Sequence, residues 1–143
     1  MFDFSGKTVL VTGGAQGIGK ETVKGVVEGG GHAVILDINE EVGKATAAEV
    51  GNCSFYRIDL GSSENIRAVM AQVLADFDRV DVLINVGGVI SKAPFEEISD
   101  AEWERTLRIN LTGTFTTCSA IYPYFKEKKG GRIVNVSSVA GKI

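Results

Sequence analysis

Four glycines fall within seven positions of the stretch Thr12-Gly13-Gly14-Ala15-Gln16-Gly17-Ile18-Gly19. The stretch follows a short β-branched apolar run and precedes a helical pattern, the setting in which such glycines carry meaning. They let the backbone turn tightly and approach a ligand closely, and the helix start adds free N–H groups with a partial positive charge. Such a segment suits a bound pyrophosphate. An ordinary strand-to-helix turn needs only one or two glycines. Asp37 ends the next apolar run, some 18 residues after Gly19. A carboxylate there accepts hydrogen bonds from the hydroxyls of an adenosine ribose and repels a 2′-phosphate. Its other reading is a cap on the following turn. Gln16 and Ile38 bring no cation beside it, so the pattern points to NAD ahead of NADP.

A regular alternation of elements must hold these residues. Residues 8–12 read as a strand buried on both faces. Residues 18–28 read as a helix with Ile18, Val23, Val26 and Val27 inward, stopped by Gly29-Gly30-Gly31. Residues 33–37 form a second strand, and Asn39 caps a helix through Glu49 with Val42, Ala45 and Ala48 inward. A third strand covers residues 53–58. Ile66, Val69, Met70, Val73, Leu74 and Phe77 then recur at intervals of three and four, a helical stripe. Residues 80–86 give a fourth strand, followed by a long loop over 87–98. Ser99-Asp100-Ala101-Glu102 is a capping box. It opens one long helix whose inward face reads as Trp103, Leu107, Asn110, Leu111, Thr114, Phe115, Cys118, Ile121, Tyr122 and Phe125. Gly130-Gly131 closes that helix region, and residues 132–137 form a fifth strand. Strands alternating with crossover helices mean right-handed βαβ units and a parallel sheet covered on both faces. No repeat, linker or low-complexity tract divides the chain, so one domain over residues 1–143 is expected.

Composition narrows the function classes. The chain has 143 residues, 15 Lys+Arg against 18 Asp+Glu, a net charge of −3 and 44% apolar residues. That apolar share excludes a disordered chain, and an acidic balance without a basic run disfavours nucleic-acid binding. The uncharged apolar runs fall far short of the ~18 residues a spanning helix needs. Two distant cysteines, Cys53 and Cys118, lack the spacing of a zinc site, so no metal is expected. The first residues carry an early acid and no apolar h-region, which predicts no secretory signal and a reducing cytoplasm. Glycine, at 18 of 143 residues against a usual ~7%, is the compositional outlier, and it concentrates in the turns described above.

The motifs continue along the chain. Thr12, Gly13, Gly17 and Gly19 spell T-G-x-x-x-G-x-G; Asp59-Leu60 follows the third strand; Asn85-Val86-Gly87-Gly88 follows the fourth. Asn110-Leu111-Thr112-Gly113 lies in the long helix, and Val136-Ser137-Ser138-Val139 closes the fifth strand. With these segments the chain, from about Phe4 onward, resembles the short-chain dehydrogenases/reductases, among them 3-oxoacyl-carrier-protein reductases and secondary-alcohol dehydrogenases. The resemblance implies an α/β, Rossmann-type doubly wound sheet, with five strands present in the order 3-2-1-4-5. It also implies hydride transfer between NAD(H) and an alcohol or ketone. Asp59 and Leu60 would contact the adenine, Asn85, Gly87 and Gly88 would line the passage beside the cofactor, and Gln16, Ile18 and Ile38 would flank it. Val86 departs from the family's N-N-A-G. Asn110 would help hold a water of the proton relay, and Ser138 would hydrogen-bond the substrate oxygen.

In the family, a Tyr and a Lys spaced Y-x-x-x-K follow the serine and carry the proton chemistry; here the sequence ends at Ile143. Tyr122 to Lys126 and Tyr124 to Lys128 match the spacing but precede the serine. Tyr122 lies about 18 Å beyond Asn110 along the helix at ~1.5 Å per residue, toward the sheet edge remote from ligands. It reads as core or interface filling, and His32, at the start of the second strand, as a surface histidine. Val89, Ile90, Ala93, Pro94 and Phe95 read either as an apolar pocket wall or as a loop packed on its own helix. A chain of this extent is expected to be C-terminally truncated, leaving the fifth strand as a bare edge. It would then be a homo-oligomer, be completed by a second polypeptide, or persist as an inactive dinucleotide-binding remnant or partner-binding module.

Overall fold

The computed structural model describes residues 2–138; Met1 and the sequence from Val139 to Ile143 lie outside the described residues. The chain builds β1 (Thr8–Thr12), α1 (Gly17–Glu28), β2 (His32–Asp37), α2 (Glu40–Val50), β3 (Cys53–Arg57), α3 (Ser63–Asp76) and β4 (Val82–Asn85). A 3₁₀ turn (Phe95–Glu97), α4 (Asp100–Leu107), a π-helical segment (Arg108–Gly113), α5 (Thr114–Glu127) and β5 (Arg132–Asn135) complete it. All strand pairs are parallel, in the order β3-β2-β1-β4-β5. This is the doubly wound Rossmann-type sheet that the alternation predicts.

One core lies on each face of the sheet. Leu10, Val34, Leu36 and Leu83 point to α3 and α5, where Ile66, Met70, Val73, Ile121 and Phe125 meet them. Val9, Val11, Ala33 and Ile35 point the other way, to Val23 and Val26 of α1. Because both strand faces are covered, β1 and β2 read as continuous apolar runs instead of alternating ones. The caps form as the sequence predicts: Asn39 and Ser99 side chains accept from Val42 N and Glu102 N.

Several inward assignments are overturned. Ile18 is 70% exposed, because the helix start that carries it faces an open cleft instead of the core. On α2, Gly43 and Thr46 are the buried residues while Ala45 and Ala48 face out; the ring of Phe55 fills the space where a Gly43 side chain would go. Along the long helix, Ile121 and Phe125 are buried as expected, but Trp103, Leu107, Leu111, Phe115 and Tyr122 are exposed, and Gly113, Thr116 and Thr117 are buried in their place. The cause is steric. A Cβ on Gly113 would lie 2.6 Å from the Leu60 carbonyl oxygen, so only small residues fit where the helix crosses this loop. The π-helical turn, which inserts an extra residue, also shifts the face that follows it. Tyr122 is therefore not core. His32 is more than a surface histidine: its ring nitrogens contact Asn52 Oδ1 and Ser54 Oγ, and Phe77 lies against it.

Candidate functional site

The register places one polar row across the sheet just below its carboxyl edge. Thr12 is level with Leu36 on one side and Asn85 on the other, and Asn85 is level with Asn135. One residue further on lie Gly13, Asp37 and Val86. Strand order reverses between β1 and β4, the point where open α/β sheets leave a crevice.

Thr12 locks that crevice. Its buried Oγ1 accepts hydrogen bonds from the N–H groups of Val86 and Gly87, each at 3.1 Å. The two chain segments then come so close that a Cβ on Gly13 would lie 2.6 Å from Gly87 Cα. Gly13 also has φ +66°, a conformation that side chains disfavour. A Cβ on Gly19 would collide with the Gly13 carbonyl. Backbone contact alone thus requires both glycines. Thr12→Val is expected to leave two N–H groups without their acceptor and to lower unfolding free energy by about 1–3 kcal/mol. Chemical denaturation beside Thr12→Ser, which keeps the oxygen, checks it.

A cleft of about 440 Å³ opens above this floor. Of the residues expected to touch a cofactor, Gly13, Gln16, Ile18, Gly19, Asp37, Ile38, Asp59, Leu60, Gly87 and Gly88 line it. Thr12 and Asn85 lie beneath. Asn85 Oδ1 accepts from Thr117 Oγ1 at 2.9 Å, and its Nδ2 donates to Asn135 Oδ1 at 2.9 Å. This side chain ties β4 to β5 and α5. Gly17, at φ +55°, sets the entry into α1. The lining also includes Ile58, Val86, Arg105 and Ile109, to which the motifs give no side-chain role, and Val89, one of the residues read as a pocket wall or a packed loop. Ile109 stands next to the assigned Asn110, but nothing in the local pattern marks Arg105.

The cleft walls fit a dinucleotide. The first turn of α1 has no side-chain cap and no acidic residue, so its N–H groups and dipole face the cleft uncompensated. Asp37 Oδ2 accepts from Ala15 N at 3.1 Å, and Oδ1 accepts from Asn39 N at 3.0 Å. The carboxylate therefore also caps the following turn, which its second reading required, and each oxygen retains acceptor capacity. Asp59 Oδ1 accepts from Gly61 N at 2.8 Å.

Asn110 lies in the π-helical segment, a feature frequent at functional positions. Its side chain accepts from Val89 N at 2.8 Å and donates to Val89 O at 2.7 Å. The pair clamps the loop after β4 against the helix. Ser138 follows β5 at the same carboxyl edge, three residues beyond Asn135. In the loop, Ile90 and Phe95 are 83% and 87% exposed, so they do not pack on a helix of the described chain.

None of the three tyrosines lines this cleft. The Tyr124 hydroxyl accepts from Val80 N at 3.0 Å, near the amino end of β4, and Tyr122 is exposed on the outer helix face. Tyr56 donates to Asp76 at 2.7 Å; burial and then that carboxylate push its phenol up to about 12.

A model of the short chain dehydrogenase family matches residues 7–143. The chain is 38% identical to D-threitol dehydrogenase of Mycolicibacterium smegmatis, covering 99% of this chain and 57% of that protein. It is 32% identical to a 3-oxoacyl-acyl-carrier-protein reductase of Chlamydia pneumoniae, over 96% of this chain and 57% of that one. Among solved structures, a metagenomic short-chain oxidoreductase in complex with NADP superposes with a TM-score of 0.90 at 32% identity, covering 98% of this chain and 65% of that one. The chain thus spans a little over half the length of the curated relatives it matches. Fold, motif placement and family match agree: the chain belongs to the short-chain dehydrogenase family.

Proposed function

We propose that residues 1–143 form the dinucleotide-binding part of an oxidoreductase that uses NAD(H), acting on a secondary alcohol or the corresponding ketone, of 3-oxoacyl or simple secondary-alcohol type. The observation that carries this reading is the cleft itself: an uncapped helix start and a glycine turn at one end, with the Asp37 carboxylate on its wall. When bound there, the nicotinamide supplies or accepts a hydride. The chain's own residues bind and orient. The N–H groups at the start of α1 neutralise the diphosphate, Asp37 accepts from the adenosine ribose hydroxyls, and Gly87 and Gly88 give close passage beside the dinucleotide. The clamp of Asn110 on Val89 fixes the loop after β4, and Ser138 donates to the substrate oxygen.

A relative's structure holds NADP; for this chain the Asp37 carboxylate favours NAD, because a 2′-phosphate would bring like charge against it. We further read the exposed stripe Trp103, Leu107, Leu111 and Phe115 as a surface that a second copy covers, making the protein a homo-oligomer. The free thiols of Cys53 and Cys118 suit a reducing cytoplasm. The test is turnover: the full-length protein, supplied with NAD and a panel of secondary alcohols, is expected to generate NADH absorbance. Binding of NAD without turnover on any panel member would instead favour an inactive dinucleotide-binding remnant.

A further inference from the structure

Arg105 lines the cleft from α4, together with Ile109 one turn later. Among the described residues no hydrogen bond or ion pair holds its guanidinium. Of the carboxylates that line the cleft with it, Asp37 accepts from Ala15 N and Asn39 N and Asp59 from Gly61 N, and among the described residues Asp100, Glu102 and Glu104 of its own helix make no ion pair with it. An arginine in a cleft wall without an acidic partner is available to a ligand.

Its place decides which part of a ligand it meets. Ile109 Cγ1 lies beside Gly61, at the turn that follows Asp59 and Leu60, so this end of the helix borders the β3 side of the cleft. The phosphate-binding turn belongs to β1 and α1. A dinucleotide with its diphosphate there and its ribose at Asp37 must extend its base toward Ile38, Ile58 and Leu60, apolar side chains suited to a flat ring. The guanidinium is planar and weakly hydrated, and it stacks readily on aromatic faces.

Resting on the dinucleotide reading above, we propose that Arg105 is a further cofactor-binding residue that stacks on the purine base. Arg105 binds the base, not a phosphate. A 2′-phosphate would have to lie against the Asp37 carboxylate, and the 5′-diphosphate is already served by the start of α1.

The test is calorimetric titration of full-length wild type and Arg105→Ala with NAD, 5′-AMP, 2′,5′-ADP and nicotinamide mononucleotide. Arg105 is exposed and unpartnered, so thermal unfolding should be unchanged and reports on folding independently. The expected result is a loss of about 2- to 30-fold in affinity for NAD, with the same loss for 5′-AMP and 2′,5′-ADP and none for nicotinamide mononucleotide. Unchanged affinity for NAD and 5′-AMP would overturn the proposal. So would a loss confined to 2′,5′-ADP, which would make Arg105 a phosphate ligand. Failure of the wild type to bind either NAD or 5′-AMP would overturn the dinucleotide reading itself.

Discussion

Gly13→Val is expected to abolish dinucleotide binding and to lower the unfolding free energy by about 2–5 kcal/mol. Two costs add. A side chain at φ +66° costs roughly 1–2 kcal/mol for the left-handed backbone, and overpacking adds about 1–3 kcal/mol. The second arises because the new Cβ would stand 2.6 Å from Gly87 Cα and 2.9 Å from Gly87 N, both backbone atoms that cannot rotate away. The turn after β1 and the segment after β4 must then separate, opening the cleft floor on which a pyrophosphate would rest. Gly25 supplies the control. It lies inside α1, and a Cβ added there would meet no atom within 4 Å, so Gly25→Ala should stabilise by roughly 0.5–1 kcal/mol. Equilibrium denaturation of both variants beside wild type reads the opposite signs. A Gly13→Val protein as stable as wild type would show that the turn does not have this conformation.

Asp37→Ala is expected to cost NAD affinity about 10- to 100-fold, the weight of hydrogen bonds to a charged acceptor. Affinity for NADP should fall less or rise, since the same change removes the like charge beside the 2′-phosphate. The informative quantity is the ratio of the two affinities. The carboxylate also accepts from Ala15 N and Asn39 N, so a general loosening of the turn would weaken both cofactors together and leave the ratio unchanged. Paired titrations with NADH and NADPH separate these outcomes, and an unchanged ratio would remove Asp37 as the discriminating group.

These two residues are legible in the sequence because their requirements are local. Gly13 answers to a backbone angle and a close approach within a strand–turn–helix unit, and Asp37 to the end of the next strand. Asn39 and Ser99 are legible as caps for the same reason. The faces of the long helix are not. Its buried side is built from Gly113, Thr116 and Thr117 followed by Ile121 and Phe125, while the large apolar residues Trp103, Leu111 and Phe115 point outward. Hydrophobic periodicity ranks residues by size and apolarity, so it finds Ile121 and Phe125 but misplaces the larger residues of the first turns. The π-helical turn over Arg108–Gly113 adds a shift in phase that no composition rule anticipates. Arg105 is hidden for a different reason. Its place in the cleft wall comes from tertiary packing of residues far apart in the chain, and neither its type nor its spacing marks it.

The Tyr decoys show the converse. Tyr124 and Lys128 satisfy a spacing, yet the Tyr124 hydroxyl is held by Val80 N at the amino side of β4 and Lys128 lies over its ring at 5.7 Å. Spacing identifies chemistry only when the element carrying it ends at the cleft.

The proposed function requires that the cleft between the Gly13–Gly19 turn and Asp37 hold a dinucleotide and prefer NAD. Calorimetric titration of the full-length protein with NADH and NADPH, run in parallel, tests it most directly. The expected result is one site per chain, with NADH bound more tightly by about tenfold or more. Binding of neither cofactor, or NADPH bound more tightly than NADH, would contradict it.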